Sequence, residues 1–471
     1  MTYDFIIVGT GFASSFFLKG LLEKVPPNAR ILVLERGPLL SVEEQIDSGR
    51  LSPVAPEAAL DLSRGTKSWP FTLAFGGSSN CWWGNTPRML PSDFRMRSLY
   101  GVGRDWPVGY DELEPFYSEA EEIMQVSGSA ESDLWPRSRP FPQPPHRATD
   151  PERVLRKAHP GLIFALPTAR ARVATETRPA CCATGVCHTC PIRAKFTIAG
   201  DMAEIFEDPR VTMVLGAEVT RLSLSGGRIT GVEWTQDGVT HEALGDAVAL
   251  GANAFFNAAI LIRSGLSHPL LGRRLHEQIG LDVVIDLDGV DNFSGSTSIT
   301  GHGYMLYDGP HRSEAAAGLI ETRNIPSFRA ERGKWRQTLL MKVIFEHLPR
   351  ESDRLWLDDA APGRPVVEYE EVPSSYVVAG RDRAQAMLPD LLSALPVERI
   401  AWSREWVPTE AHNLGTVVMG ENPTDSIVDH QMRHHEQRDL FVLGGSAFPT
   451  GAPANPTLTI CALSLRAASL L

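Results

Sequence analysis

Phe5-Ile6-Ile7-Val8 is a continuous apolar run, the pattern of a parallel strand buried on both faces. Gly9-Thr10-Gly11 then leads into an apolar segment of helical length, Ala13 to Leu22, which Pro26-Pro27-Asn28 breaks. Ile31-Leu32-Val33-Leu34 supplies a second strand ending at Glu35-Arg36-Gly37, so the first 37 residues predict a βαβ unit. Five prolines between Pro136 and Pro145 predict an extended connector. Ile229 to Leu250 alternates turn residues with short β-rich runs, as a small meander does. From Leu339 onward, Val-, Ile- and Tyr-containing runs separated by Pro and Gly predict a second, mostly antiparallel sheet. Leu440 to Leu443 returns to a buried strand, followed by a Gly-Gly-Ser turn and an apolar C-terminal helix. No internal repeat interrupts this order.

Composition narrows the picture. With 471 residues, 43% hydrophobic and 22% charged, the chain can bury a large core in two or three domains. A net charge of −12 and no Lys/Arg block disfavour nucleic acid as a partner. The longest uncharged apolar stretch, Ala247 to Ile262, has 16 residues and falls short of the roughly 18–20 needed to cross a bilayer, so no integral membrane protein is expected. No basic segment precedes an apolar run at the N-terminus, so the cytoplasm is the expected location, with export alongside a signal-bearing partner as the alternative.

Gly9-x-Gly11-x-x-Ser14 follows a strand and opens a helix, the context a dinucleotide fingerprint requires. Gly9 permits the tight turn, Gly11 lets backbone approach a pyrophosphate, and small Ser14 allows close packing of helix on strand. Phosphates would rest on the unpaired N–H groups of the helix N-terminus. Glu35, closing the second strand, stands where a carboxylate can accept ribose hydroxyls.

Three further stretches carry a distinctive pattern. They are Phe75-Gly76-Gly77-Ser78-Ser79-Asn80-Cys81-Trp82-Trp83-Gly84-Asn85-Thr86-Pro87-Arg88, then His412-Asn413-Leu414-Gly415-Thr416, then Gly444-Gly445-Ser446 with Asn455-Pro456-Thr457. At these residues the chain resembles the glucose–methanol–choline (GMC) flavoprotein oxidoreductases, in the family's order from residue 4 to the C-terminus. The Gly76–Arg88 loop and Leu275-His276-Glu277-Gln278 look most like pyranose oxidases and bacterial FAD-dependent sugar dehydrogenases. The resemblance implies an α/β fold: a discontinuous, Rossmann-like FAD-binding domain plus an α+β substrate domain with a mainly antiparallel sheet. It divides the chain into 1–281, with a Cys-rich insertion around 150–195; a substrate domain, 282–410; and a return to the FAD domain, 411–471. FAD is implied as cofactor, held by Gly9, Gly11, Phe12, Ser14, Glu35, Arg36, Gly76, Gly77, Ser79, Asn80, Cys81, Trp82, Val219, Gly445, Ser446, Asn455, Pro456 and Thr457.

Oxidising an alcohol requires a group that accepts the hydroxyl proton near neutral pH, and histidine suits that task. The resemblance singles out His412, among 13 histidines, as that base and Asn455 as the group holding the substrate oxygen. His430, His434 and His435 read as histidines without chemistry. Four of six cysteines, Cys181, Cys182, Cys187 and Cys190, fall within ten residues. Disulfides, structural zinc and an iron–sulfur cluster are the open readings. Cys190-Pro191-Ile192-Arg193-Ala194-Lys195 resembles the segment that carries a three-iron cluster in the sugar dehydrogenases, although Cys187 to Cys190 is one residue shorter than that pattern. Cys81 aligns with the position of a flavin-linked His in pyranose oxidases, and a small Cys packed against the ring is the alternative. Cys461 reads as core.

On the substrate side, Phe293 to Tyr304 reads as a mobile active-site loop or an ordinary surface loop, and Trp82 and Trp83 as a stacking surface, with Trp406 a core residue. The expected activity is oxidation of a secondary hydroxyl of a sugar, glycoside or polyol. The electrons would pass to oxygen or an external acceptor such as a small partner subunit or cytochrome. A flavin-containing lyase and an electron-transfer module are the alternatives.

Overall fold

The computed structural model describes residues 2–65, 67–131, 133–358, 363–370 and 372–471. Its strands are β1 (Thr2–Val8), β2 (Ile31–Glu35), β3 (Asp61–Arg64), β4 (Ile163–Ala165), β5 (Val211–Leu215), β6 (Glu218–Ser225), β7 (Arg228–Gln236) and β8 (Val239–Leu250). They continue with β9 (Ile279–Leu287), β10 (Ile299–Gly303), β11 (Gly318–Arg323), β12 (Thr338–Phe345), β13 (Arg354–Leu357), β14 (Pro365–Glu368), β15 (Val397–Trp402) and β16 (Leu440–Val442).

The first sheet runs β5-β2-β1-β8, with β16 also paired to β8, and every one of these pairings is parallel. β1 is buried over Ile6–Val8 and β2 throughout, as the apolar runs predict. β8 is long enough to do two jobs. Its first half pairs antiparallel with β7 in the β6–β7–β8 meander, and its second half joins β1 and β16. The helix Phe12–Leu22 packs with the C-terminal helix Thr457–Ser469: a side chain at Gly20 would strike the Ala468 methyl at 2.8 Å.

The second sheet, β15-β9-β12-β11-β10-β4, is antiparallel at every pairing. One face carries Leu281, Val283, Ile285, Ile320, Met341 and Val343, and it packs on Val377, Ala384 and Leu388 of the helix Ser375–Leu391. That helix departs from the expectation of strands after Leu339. Ser374 accepts the Val377 N–H as a cap, and Val377, Gly380, Ala384 and Leu388 recur at helical spacing, which outweighs the β-branched Val377-Val378 pair.

Residues 293–304 also depart from the loop reading. Ile299–Gly303 is the buried strand β10. Threonines just before it and within it work inside the protein: Thr297 accepts Arg170 Nε–H at 2.7 Å, and Thr300 bonds Glu152. Among the described residues no helix is long and apolar enough to cross a membrane.

Candidate active site

The parallel strands end together. The carboxyl ends of β1, β2, β8 and β16 converge on one cavity of about 620 Å³, lined there by Gly9, Glu35, Gly251 and Gly444. A crevice at the carboxyl ends of parallel strands is where open α/β sheets take nucleotides.

Gly9 stands at φ +89°, and a side chain there would meet the Gly251 carbonyl oxygen at 2.8 Å. A Cβ on Gly251 would lie 2.0 Å from Ser14 Oγ, which donates to the Val8 carbonyl at 3.0 Å. Small residues at 9, 14 and 251 therefore let the helix start against the strand ends. At Gly11, the N-cap, a Cβ would meet no described atom within 4 Å, so its backbone borders open space. The helix it begins has no side-chain cap, which leaves its first N–H groups for a ligand.

Thr10 joins the motif's three pieces. Its hydroxyl donates to Glu35 Oε2 at 2.7 Å and accepts the Gly76 N–H at 2.9 Å, and its own N–H donates to the same Glu35 oxygen. Glu35 Oε1 takes the Gly37 N–H at 2.8 Å. Burial pushes the Glu35 carboxyl up, against the pull of these bonds. The carboxylate so holds the turn as well as bordering the cavity, and one lone pair, on Oε1, remains for a hydroxyl donor.

Phe12, Arg36, Gly77, Cys81, Trp82, Val219, Gly445, Pro456 and Thr457 also line the cavity, as do His412 and Asn455. Gly76, Ser79, Asn80, Ser14 and Ser446 instead support it from behind. Ser79 Oγ accepts the Ile198 N–H, Asn80 Nδ2 donates to the Phe75 carbonyl, and Ser446 Oγ accepts from Asn257. Trp83 borders the cavity beside His188, while Trp406 packs on Phe345 of the second sheet.

His412 is held by residues far away in sequence. Its Nδ1 lies 2.8 Å from Gln278 Oε1, and Gln278 Nε2 donates to the Ala452 and Ala454 carbonyls at 2.7 and 3.0 Å. Because carbonyl oxygens only accept, those two bonds decide which end of the amide is NH₂, and Oε1 must accept from His412. The proton therefore sits on Nδ1, and Nε2 is left with its lone pair. The 409–412 segment is clamped by buried Glu277, whose Oε2 accepts Thr409 Oγ1–H and the N–H groups of Glu410 and His412. Lys67 pairs with that carboxylate. Burial lowers the His412 pKa to about 4, so the ring is neutral at pH 7. Asn455 Oδ1 is buried without a hydrogen-bond partner among the described residues, an acceptor waiting for a donor.

The cysteines do not gather. Cys187 Sγ donates to Ser298 Oγ at 3.3 Å, Cys181 Sγ lies 3.5 Å from Thr297 Oγ1, and Cys182 is exposed. Among the described residues no three Cys, His, Asp or Glu side chains form a group able to hold a metal. As arranged, Cys181, Cys182, Cys187 and Cys190 do not fit a cluster, and all six cysteines are free thiols. Lys195 ties this segment to the glycine-rich loop, donating to the carbonyls of Asn80, Trp82 and His188. Burial pushes the Cys81 thiol up, away from the thiolate that bonding to a ring would need. Cys461 is core.

Residues 384–464 match the family model of GMC oxidoreductases. Over that segment the chain is similar to the GMC oxidoreductases. It is 26% identical to the fructose dehydrogenase large subunit of Gluconobacter japonicus, over 99% of this chain and 97% of that one. It is also 26% identical to paromamine 6'-oxidase of Streptomyces fradiae, over 99% and 90%. Among solved structures, pyridoxine 4-oxidase matches at TM-score 0.66 and 19% identity, covering 99% of both chains. A formate oxidase matches at 0.69 and 16%, covering 100% of this chain and 98% of that one. The structure also brings to the site residues that sequence motifs did not single out: Lys67, Glu321, Lys342 and Glu410. They lie on different elements, and no local spacing marks them.

Proposed function

We propose that this protein is a GMC oxidoreductase that binds FAD across the strand-end crevice and oxidises a CH–OH group of a sugar, glycoside or polyol to a carbonyl. The observation that carries the reading is the Gln278–His412 pair, which leaves an unprotonated Nε2 on a histidine that lines the same cavity as Asn455. Flavin, when bound, supplies the acceptor for the hydride. His412 Nε2 takes the hydroxyl proton, and Gln278 keeps the ring oriented while charge develops on it. Asn455 would hold the substrate oxygen by donating a side-chain N–H to it. Gly9, Gly11 and the uncapped N-terminus of the Phe12–Leu22 helix would receive the pyrophosphate. Fructose dehydrogenase and paromamine 6'-oxidase, as named relatives, support a carbohydrate-like alcohol and span both dehydrogenase and oxidase activity.

Anaerobic mixing of the flavin-loaded protein with sugars and polyols tests this. Bleaching of the yellow absorbance by at least one alcohol, with loss of about 10²–10⁴-fold in that rate in His412→Ala, is the expected result. Flavin that stays oxidised with every alcohol overturns it and favours the lyase reading.

A further inference from the structure

Resting on that reading, the substrate side of the cavity holds a feature that the base and the nucleotide site do not use. In the second sheet His302 stands opposite Glu321, and Glu321 opposite Lys342, so three ionisable side chains cross β10, β11 and β12 in one row. All three are buried. The other face of the same strands is apolar and packs on the Ser375–Leu391 helix. Burying charge in a sheet costs free energy unless each group is paired, so the partners of the row are informative.

Lys342 is matched: its ammonium donates to both oxygens of Glu410 at 2.9 Å. Glu321 is matched on one side only. Its Oε1 accepts Asn85 Nδ2 at 3.0 Å and lies 3.3 Å from His302 Nε2. Arg170 Nη1 donates to Asn85 Oδ1 at 3.1 Å, which turns the Asn85 amide so that its NH₂ faces Glu321. Oε2 of Glu321 has no hydrogen bond among the described residues, and Glu321, Asn85 and Lys342 all line the cavity. Burial alone would raise the Glu321 pKa. The bond and charge of His302, with Lys342 and Arg323, bring it down to about 2, so the group is a carboxylate. Glu321 also lies within electrostatic reach of His412.

We propose that Glu321 is the acceptor of a substrate subsite, its free oxygen receiving a hydroxyl or ammonium carried on a carbon near the one being oxidised. A polyol or amino-polyol fills it, and a simple monoalcohol leaves a buried carboxylate oxygen unpaired. Sites built around such an acceptor discriminate strongly against ligands that lack the donor.

Cyclohexanol, trans-1,2-cyclohexanediol and trans-2-aminocyclohexanol share one ring and one secondary carbinol, and so isolate the neighbouring donor. The flavin-loaded enzyme and Glu321→Gln are compared by anaerobic bleaching rates and by dissociation constants read from flavin absorbance. The wild type is expected to prefer the diol or the amino alcohol over cyclohexanol. Glu321→Gln should cut that preference about tenfold or more, with flavin content unchanged. A larger loss for the amino alcohol assigns ammonium, and a larger loss for the diol assigns hydroxyl. Glu321→Asp, which keeps the charge, should restore part of the preference. Equal loss on all three compounds marks a structural role and overturns the subsite, as does a wild type that binds all three alike or binds none. If flavin is never bleached but the binding preference still falls in Glu321→Gln, the oxidation reading fails while the subsite stands.

Discussion

The parallel sheet brings Gly9, Glu35, Gly251 and Gly444 to the cavity from its strand ends, whereas the antiparallel sheet brings Glu321, Arg323 and Lys342 from its face. The first set works mainly by what it lacks. Without side chains at 9 and 251, backbone and helix N-terminus come close enough to a ligand to bind through N–H groups. The second set works through charged side chains whose partners are arranged across neighbouring strands. One region therefore suits a ligand of fixed, phosphate-bearing chemistry. The other presents ionisable side chains whose burial makes each depend on its partners across the strands.

That contrast can be broken from either side. The largest effect is expected for Gly9→Val, which sets a β-branched residue at φ +89° against the Gly251 carbonyl. It should yield protein that is colourless or poorly folded, checked by flavin content and circular dichroism. A variant that binds flavin normally would show that backbone closeness does not matter there. Next comes Leu388→Ala, beneath the second sheet. It should cost about 2–5 kcal/mol of stability in a denaturant titration yet leave the flavin spectrum of the folded protein unchanged. Gln278→Leu removes the acceptor of His412 Nδ1–H and should slow alcohol-dependent flavin reduction about 10–100-fold with flavin retained. An unchanged rate would remove Gln278 from the positioning of the base.

The smallest effect concerns pH. His412 is surrounded by Gln278, Glu321 and Lys342, and burial lowers its pKa from the ordinary 6.5 to about 4. A base must be unprotonated, so kcat/KM should stay level from neutral pH to near pH 5 and fall below that as the ring takes a proton. In Glu321→Gln the limb should move further toward acid, because the anion that favours the charged ring is gone. A limb near 6.5 in the wild type would mean that the ring is solvated in the working enzyme.

How much could be read in advance differs between the same two regions. The βαβ unit, the meander and the C-terminal strand and helix were legible because each is governed by residues within a few positions of one another. A glycine turn, an apolar run and a break suffice. The helix Ser375–Leu391 was hidden by a Val-Val pair that favours strands, although Ser374 and the Val377–Gly380–Ala384–Leu388 spacing carried the helical signal. Residues 293–304 looked like a loop because Ser, Thr and Gly are common in loops. Here their hydroxyls serve buried Arg170 and Glu152, partners remote in sequence. The cysteines formed a compact cluster in sequence, yet Cys181 and Cys187 turn to Thr297 and Ser298 instead of to each other.

Local order along the chain thus determined the nucleotide turn and its acidic partner Glu35, while His412 and Asn455 were singled out by the resemblance of their motifs to a known family. Backbone conformation and helix starts depend on short-range sterics, which a sequence carries openly. Only the tertiary structure decided that Gln278 orients His412 from 134 positions away, that Lys67 and Glu277 clamp its loop, and that Glu321 keeps one oxygen free. Those relations follow from which loops meet above the sheet and, for Glu321 on β11, from strand register, where a slip of one residue would turn its side chain to the opposite face.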